Sequence, residues 1–242
     1  MMKQFDTLYG QSSMRAPSQQ MAVSRFVSQT YGWMFVGLLI TGFVSMGVAS
    51  SEAALRLILE NRVIFYGALI AEVLLVMWMT SVFERLSATA ATFGFLAYSA
   101  LNGVTLSMIF LVYTMSSIGQ VFLISAGMFG GLAVYGTVTK KNLTNLGAFV
   151  GMGVWGLILV GLVNLFIQSD ALSMALSVVG VLVFSGLTAY DAQRIRSLAY
   201  QYAGGGYRSD ASKGAVFGAL SLYLNFINLF LSLLRLFGNR RD

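Results

Sequence analysis

An all-α integral membrane protein, built as a bundle of seven transmembrane helices, is the fold class this sequence predicts, and three observations carry that reading. Of 242 residues, 57% are apolar and only 10% charged, where a soluble domain carries roughly 25% charged residues; the mean hydropathy is +0.76. The apolar residues gather into seven stretches, each close to the 20 or so residues that a hydrocarbon core requires of a helix. The single proline, Pro17, lies outside all seven, so every stretch can be helical without a proline kink. This composition excludes a water-soluble enzyme.

Taken in order, residues 1–25 are polar, with Gln and Ser clusters and no apolar core of a cleavable signal peptide. They are expected to form a disordered cytoplasmic tail ahead of one transmembrane domain, 26–242. The first span covers 31–49 and the second 63–82. No charge occurs between Arg85 and Lys140, which leaves room for two crossings, 88–112 and 118–138, joined near residues 114–117. The fifth, sixth and seventh spans are 146–167, 171–190 and 215–234. Gly127, Gly130, Gly131 and Gly136 in the fourth span, and Gly151, Gly153 and Gly156 in the fifth, are expected to let helix backbones approach closely. The run Gly204-Gly205-Gly206-Tyr207-Arg208-Ser209-Asp210 is the loop before the last span.

Lys and Arg in short loops set orientation. Lys3, Arg15, Arg25, Arg85, Lys140, Lys141, Arg194, Arg196, Arg208 and Lys213 fall on the side of the N-terminus, ten in all. Arg56, Arg62, Arg235, Arg240 and Arg241 fall on the other side. The N-terminus is therefore expected in the cytoplasm. A last span that re-entered instead of crossing would sharpen the bias further, but residues 215–234 are long enough to cross. The excess of basic residues reads as membrane orientation and not as a nucleic-acid surface.

The chain has no Cys and no His. Disulfides, zinc sites with sulfur or imidazole ligands, and Ser-His or Cys-His nucleophiles are thereby excluded. Ionisable groups inside spans cost about 2.5–3.5 kcal/mol each at the centre and mark functional positions. Glu72 lies in the middle of the second span, Asp191 closes the sixth, and Arg235 ends the seventh. In the seventh span Gly218, Ser221, Asn225, Asn228, Ser232 and Arg235 recur at steps of three and four, which places them on one helix face. That stripe has two readings: interhelical hydrogen bonds worth about 0.6 kcal/mol each, or a hydrophilic pathway. Asp191 and Asn225 stand equally far from a reversal near Arg208, so antiparallel helices bring them to similar depth. The alternative for Asp191 is an interfacial carboxylate paired with Arg194 or Arg196.

The run Gly186-Leu187-Thr188-Ala189-Tyr190-Asp191-Ala192-Gln193, followed by Gly218-Ala219-Leu220-Ser221-Leu222-Tyr223-Leu224-Asn225-Phe226-Ile227-Asn228-Leu229-Phe230, closely resembles the Bax inhibitor-1 family, also called the transmembrane Bax inhibitor motif proteins, in its bacterial branch. The resemblance extends from Tyr31 to Arg241. It implies a seven-helix bundle with a central C-terminal helix wrapped by the other six, and a pH-sensitive calcium leak with Ca²⁺ as the permeant or bound ion and no cofactor. In that family an Asp on the sixth helix and an Asp on the seventh are associated with the leak. Two carboxylates in a poorly hydrated gap repel and share a proton, and hard oxygen ligands suit Ca²⁺. The first maps onto Asp191; the second maps onto Asn225, an amide that can accept or donate a hydrogen bond but cannot titrate. Glu72 also resembles a family position and would supply a second carboxylate if it faced the same gap. Ser221, Asn228, Ser232 and Arg235 would line the pathway.

An intramembrane aspartyl protease needs a second Asp on the seventh span, and this span has none. A rhomboid-type protease needs His, a retinal protein needs Lys within the last span, and a transporter built on inverted repeats needs paired interrupted helices; none of these is present. The chain is therefore expected not to be an enzyme. The remaining alternative is a non-conducting membrane regulator. The resemblance implies that some members modulate a membrane-bound ATP-dependent protease; the sequence itself picks no partner, although the polar residues 1–25 offer a recognition segment.

Overall fold

The computed structural model describes residues 2–204 and 210–241; residues 205–209, read above as the loop before the last span, lie outside the described residues. Every long element is helical. α1 is Met2–Ser50, α2 Glu52–Glu60, α3 Arg62–Ser81, α4 Ala88–Leu106, α5 Ile109–Val112, α6 Met115–Val138, α7 Thr144–Ile167, α8 Asp170–Ala203 and α9 Ala211–Phe237. Seven stretches are long and apolar enough to cross a membrane: Gln19–Ser50, Val63–Ser81, Ala88–Val112, Met115–Val138, Thr144–Ile167, Asp170–Ala203 and Ala211–Phe237. All seven overlap the expected spans, the second to fifth and the seventh matching to within four residues at each end. The short α4–α5 break falls inside the third.

Local sequence explains where these helices begin. Side-chain oxygens of Ser51, Asn61, Ser87, Thr114, Ser169 and Asp210 accept a first-turn backbone N–H at six helix starts, which satisfies donors a helix leaves orphaned. α7 lacks such a cap, and its N-cap residue Leu143 is instead tied to α8 through Gln193. α7 ends at Gln168, which adopts the left-handed conformation (φ 53°). Asn164 and Ser169 then tighten the reversal into α8, with Asn164 Oδ1 accepting the Ser169 N–H at 3.1 Å.

Three expectations need correction. The backbone of residues 2–25, expected to be a disordered tail, is helical and runs without a break into the first span. Extending an existing helix avoids the cost of nucleation, and from Phe26 onward the added length packs on α8, whose Tyr202 ring stacks 5.2 Å from that of Phe26. α8 likewise does not stop near Tyr190 but continues to Ala203. The close-packing role of the glycines holds for only some of them. A Cβ on Gly136 would collide with the Ala189 carbonyl and one on Gly153 with Val183, whereas Gly127, Gly130, Gly131, Gly151 and Gly156 meet nothing within 4 Å. These five turn outward because helix–helix contact occupies only part of each peripheral helix.

α9 is the axis of the bundle. In its most apolar 18-residue window 72% of residues are buried, against 11–39% in the other six spans. It packs on α1, α4, α6 and α8. Lys213 at its start reaches the α3–α4 connection. At its other end the tail pairs with the α5–α6 connection, where Thr114 N donates to Asn239 O at 3.1 Å and Arg241 N to Val112 O at 2.9 Å. These connections lie at opposite ends of α4, so α9 crosses the whole bundle and does not re-enter.

Candidate functional site

On the helix at the axis, burial is uneven by face. From Lys213 to Leu234 nearly every residue is buried except Phe217, Gly218, Ser221, Leu224, Asn228, Leu231 and Ser232. These positions follow the three-and-four spacing of the polar stripe, so one face of α9 remains open to space while the others are sealed. α8 lies along that face, and two cavities open between the helices.

The first cavity, about 340 Å³, takes Gly214, Phe217, Gly218 and Ser221 from α9, Asp191, Arg194 and Tyr202 among others from α8, Thr80 from the end of α3 and Phe83 from the α3–α4 connection. The second, about 220 Å³, takes Asn228, Ser232 and Arg235 from α9 together with Gly180 and Phe184 of α8 and Gly161 of α7. Ser221 and Asn228 are separated by about 10 Å along the helix, at 1.5 Å per residue. Between them Asn225 Nδ2 donates to Asp191 Oδ2 at 2.7 Å. Asp191 is 8% and Asn225 5% exposed.

The acid of the sixth span and the amide of the seventh thus meet as the antiparallel register required. Among the described residues neither Arg194 nor Arg196 lies within ion-pair distance of Asp191. Arg196 donates to the Thr137 carbonyl and lies over the Tyr200 ring. Arg194 lines the Asp191 cavity. Of the stripe residues, Asn225 bonds across to another helix, while Asn228 donates to Leu224 O at 2.8 Å and Ser232 to Asn228 O at 2.7 Å, both within α9. Arg235 is exposed in the last turn, where a cation complements the helix dipole.

Glu72 is elsewhere. Its Oε2 accepts from Asn102 Nδ2 at 2.9 Å and its Oε1 from Thr105 Oγ1 at 2.7 Å. Asn102 Oδ1 accepts from the Tyr223 hydroxyl at 3.0 Å, and that hydroxyl lies 2.6 Å from Thr41 Oγ1, which donates to Ser99 O at 2.8 Å. Tyr223 and Asn225, two residues apart on one helix, point about 200° apart at 100° per residue. Glu72 therefore belongs to a network on the opposite side of α9 and does not line the Asp191 cavity.

Four members of this network, Thr41, Asn102, Thr105 and Tyr223, were not singled out by sequence. Asn102 and Thr105 carried a usable signal, two polar residues three apart in an apolar span; Tyr223 carried none. Lys213 was also missed as a structural group. It is 4% exposed, its Nζ donates to Phe83 O at 2.9 Å and Glu84 O at 3.3 Å, and it sits 4.7 Å from the Phe83 ring centroid.

A buried axial helix paired to a Tyr-Asp on its predecessor is the arrangement that the quoted runs suggested, and sequence comparison decides the matter. The family model described as "Inhibitor of apoptosis-promoting Bax1" matches residues 23–242. The chain belongs to the Bax inhibitor-1 family. This family member is 46% identical over 216 residues, 89% of its own length and 92% of the relative's, to "Inner membrane protein YbhL" of Escherichia coli. It is 41% identical to a protein of Deinococcus radiodurans over 91% of its length and 92% of the relative's. An "Uncharacterized membrane protein" of Streptococcus pyogenes is 40% identical over 89% of this chain and 93% of its own. Family membership and the seven apolar helices together make it an integral membrane protein.

Proposed function

We propose that this chain is a calcium leak whose pathway follows the open face of α9, with Asp191 as its one carboxylate and Asn225 in the place of the family's second Asp. One observation carries the reading: two cavities on the same face of the axial helix, separated at the Asp191–Asn225 hydrogen bond. In a bundle whose other axial faces are sealed, this is the line along which a hydrated ion meets polar side chains. Ca²⁺ favours six to eight oxygens. One carboxylate and neighbouring amide and hydroxyl oxygens offer fewer, and among the described residues no three Asp or Glu converge. Such a donor set suits a passing cation that keeps part of its water, so Ca²⁺ is cargo and not a resident ligand.

Asp191 makes the pathway pH-sensitive through a single proton. The groups facing it are Arg194 of its own helix, Asn225 and Ser221 of α9, and Thr80 of α3; none of these but Asp191 is a carboxylate. Protonating it removes the charge that attracts a cation while leaving Asn225 an acceptor. The setting proposed is a bacterial inner membrane, as the name of the E. coli relative says of that protein, with the N-terminus cytoplasmic on the strength of the Lys and Arg distribution.

The test is calcium flux into liposomes made with purified protein, from mildly acidic to mildly alkaline pH. Flux that disappears in Asp191→Asn supports the leak. No flux from the unaltered chain at any pH overturns it and favours a regulator that binds a membrane-bound ATP-dependent protease.

A further inference from the structure

A third recess, about 420 Å³, lies where the α6–α7 connection meets the flank of α8. Lys140, Lys141 and Arg194 line it, together with Asn142, Thr144 and Ser197. No carboxylate is among its lining residues. Among the described residues none of the three cations has an ion-pair partner. A cation excess in a loop serves orientation without any recess to hold it, so the shape of this place calls for a separate account.

The connection is held in one conformation. Gln193 of α8 accepts the Leu143 N–H at 2.9 Å and donates to Lys141 O at 2.8 Å. Asn142 Oδ1 accepts both the N–H and the hydroxyl of Thr144 at 2.9 and 2.6 Å. The backbone that carries the two lysines is thereby held beside Arg194, ahead of the 24-residue helix α7, whose positive dipole end adds to the same field. Arg196 differs, being engaged with Thr137 and Tyr200. The Ser197 hydroxyl and the Asn142 Nδ2 group beside several cations are the chemistry that recognises a phosphate group, and basic pockets beside spans hold lipid head groups.

We propose that this recess binds a phosphate-bearing anion, with Lys140, Lys141 and Arg194 as its charged contacts. Arg194 also lines the Asp191 cavity. An occupied recess holds that guanidinium on the phosphate and leaves the field at Asp191 more negative, which favours cation passage. The second clause rests on the leak proposed above; the binding site does not.

Purified full-length protein is titrated with phosphatidylglycerol, with phosphatidylcholine, and with inorganic phosphate, and binding is followed by native mass spectrometry. Phosphatidylglycerol is expected to bind in preference to phosphatidylcholine. The Lys140→Gln/Lys141→Gln double variant should lose at least about tenfold in affinity, equivalent to about 1.4 kcal/mol, while Arg85→Gln retains it. Competition by inorganic phosphate at millimolar concentration identifies free phosphate as a source; its absence identifies the lipid. Equal affinity of the unaltered and double-variant proteins for every probe, with unchanged melting temperatures, overturns the site. Flux in phosphatidylglycerol against phosphatidylcholine liposomes then separates the two ideas. If binding is lost in the double variant but flux never depends on lipid, the site stands and its coupling to the leak falls.

Discussion

Two buried carboxylates flank the axial helix, and their surroundings differ in kind. Glu72 has both oxygens occupied by side-chain donors of α4, and the chain of bonds continues through Asn102 and Tyr223 to Thr41. It ties α1, α3, α4 and α9 together. Asp191 is held by one donor, Asn225, and opens on a cavity containing an arginine that is not bonded to it. An acid with both oxygens bonded to a neighbouring helix acts as a staple, and one with a single bond and adjoining space is free to exchange partners. Burial alone does not distinguish them, since both are 8% exposed.

The comparison breaks if the two carboxylates respond alike. The largest effect is expected for Asp191→Asn, which should cut calcium flux in liposomes by at least about tenfold, equivalent to about 1.4 kcal/mol, with little change in melting temperature because an amide still pairs with Asn225. On the other side, Glu72→Leu leaves the Asn102 side-chain amide without its acceptor, while the Thr105 hydroxyl keeps the Asn102 carbonyl at 3.0 Å. A loss of about 1–3 kcal/mol of stability for the orphaned amide is expected, read as a lowered melting temperature, with flux per folded molecule retained. Tyr223→Phe should act in the same direction but less, because it removes one hydroxyl that links Asn102 to Thr41.

Asn225→Asp sharpens the contrast. It places a second carboxylate 2.7 Å from the first, so the two titrate as a coupled pair. The flux–pH curve is expected to steepen and calcium sensitivity to rise; superimposable curves for the two forms would remove Asn225 from the pathway. Two glycines of α6 differ in the same way, and the exposed one gives the smallest effect of all. Gly136→Ala drives a methyl group into the Ala189 backbone and should lower stability by about 1–3 kcal/mol, whereas Gly130→Ala, with nothing within 4 Å, should stay within about 0.5 kcal/mol.

Much of this was legible beforehand. The spans follow from runs of apolar residues because lipid demands length and internal hydrogen bonding of any segment that crosses it. The juxtaposition of Asp191 and Asn225 followed from equal distance to a reversal, since antiparallel neighbours preserve register. The glycines misled because composition does not say which side of a peripheral helix faces a neighbour. The tail misled because polar residues were read as disorder where the helix that follows them only had to be extended backwards.

The residues themselves determined the solvent, the number of crossings, the stripe on the last helix and the family to which the chain belongs. Only the tertiary structure decided that Glu72 and Asp191 stand on opposite sides of α9, that the stripe opens on two cavities with one hydrogen bond between them, and that Arg194 borders two recesses. Hydrophobicity and helical period act along one chain and can be summed from it. Which faces meet depends on how helices from distant parts of the sequence rotate and tilt to fill space together, and no local pattern contains that information.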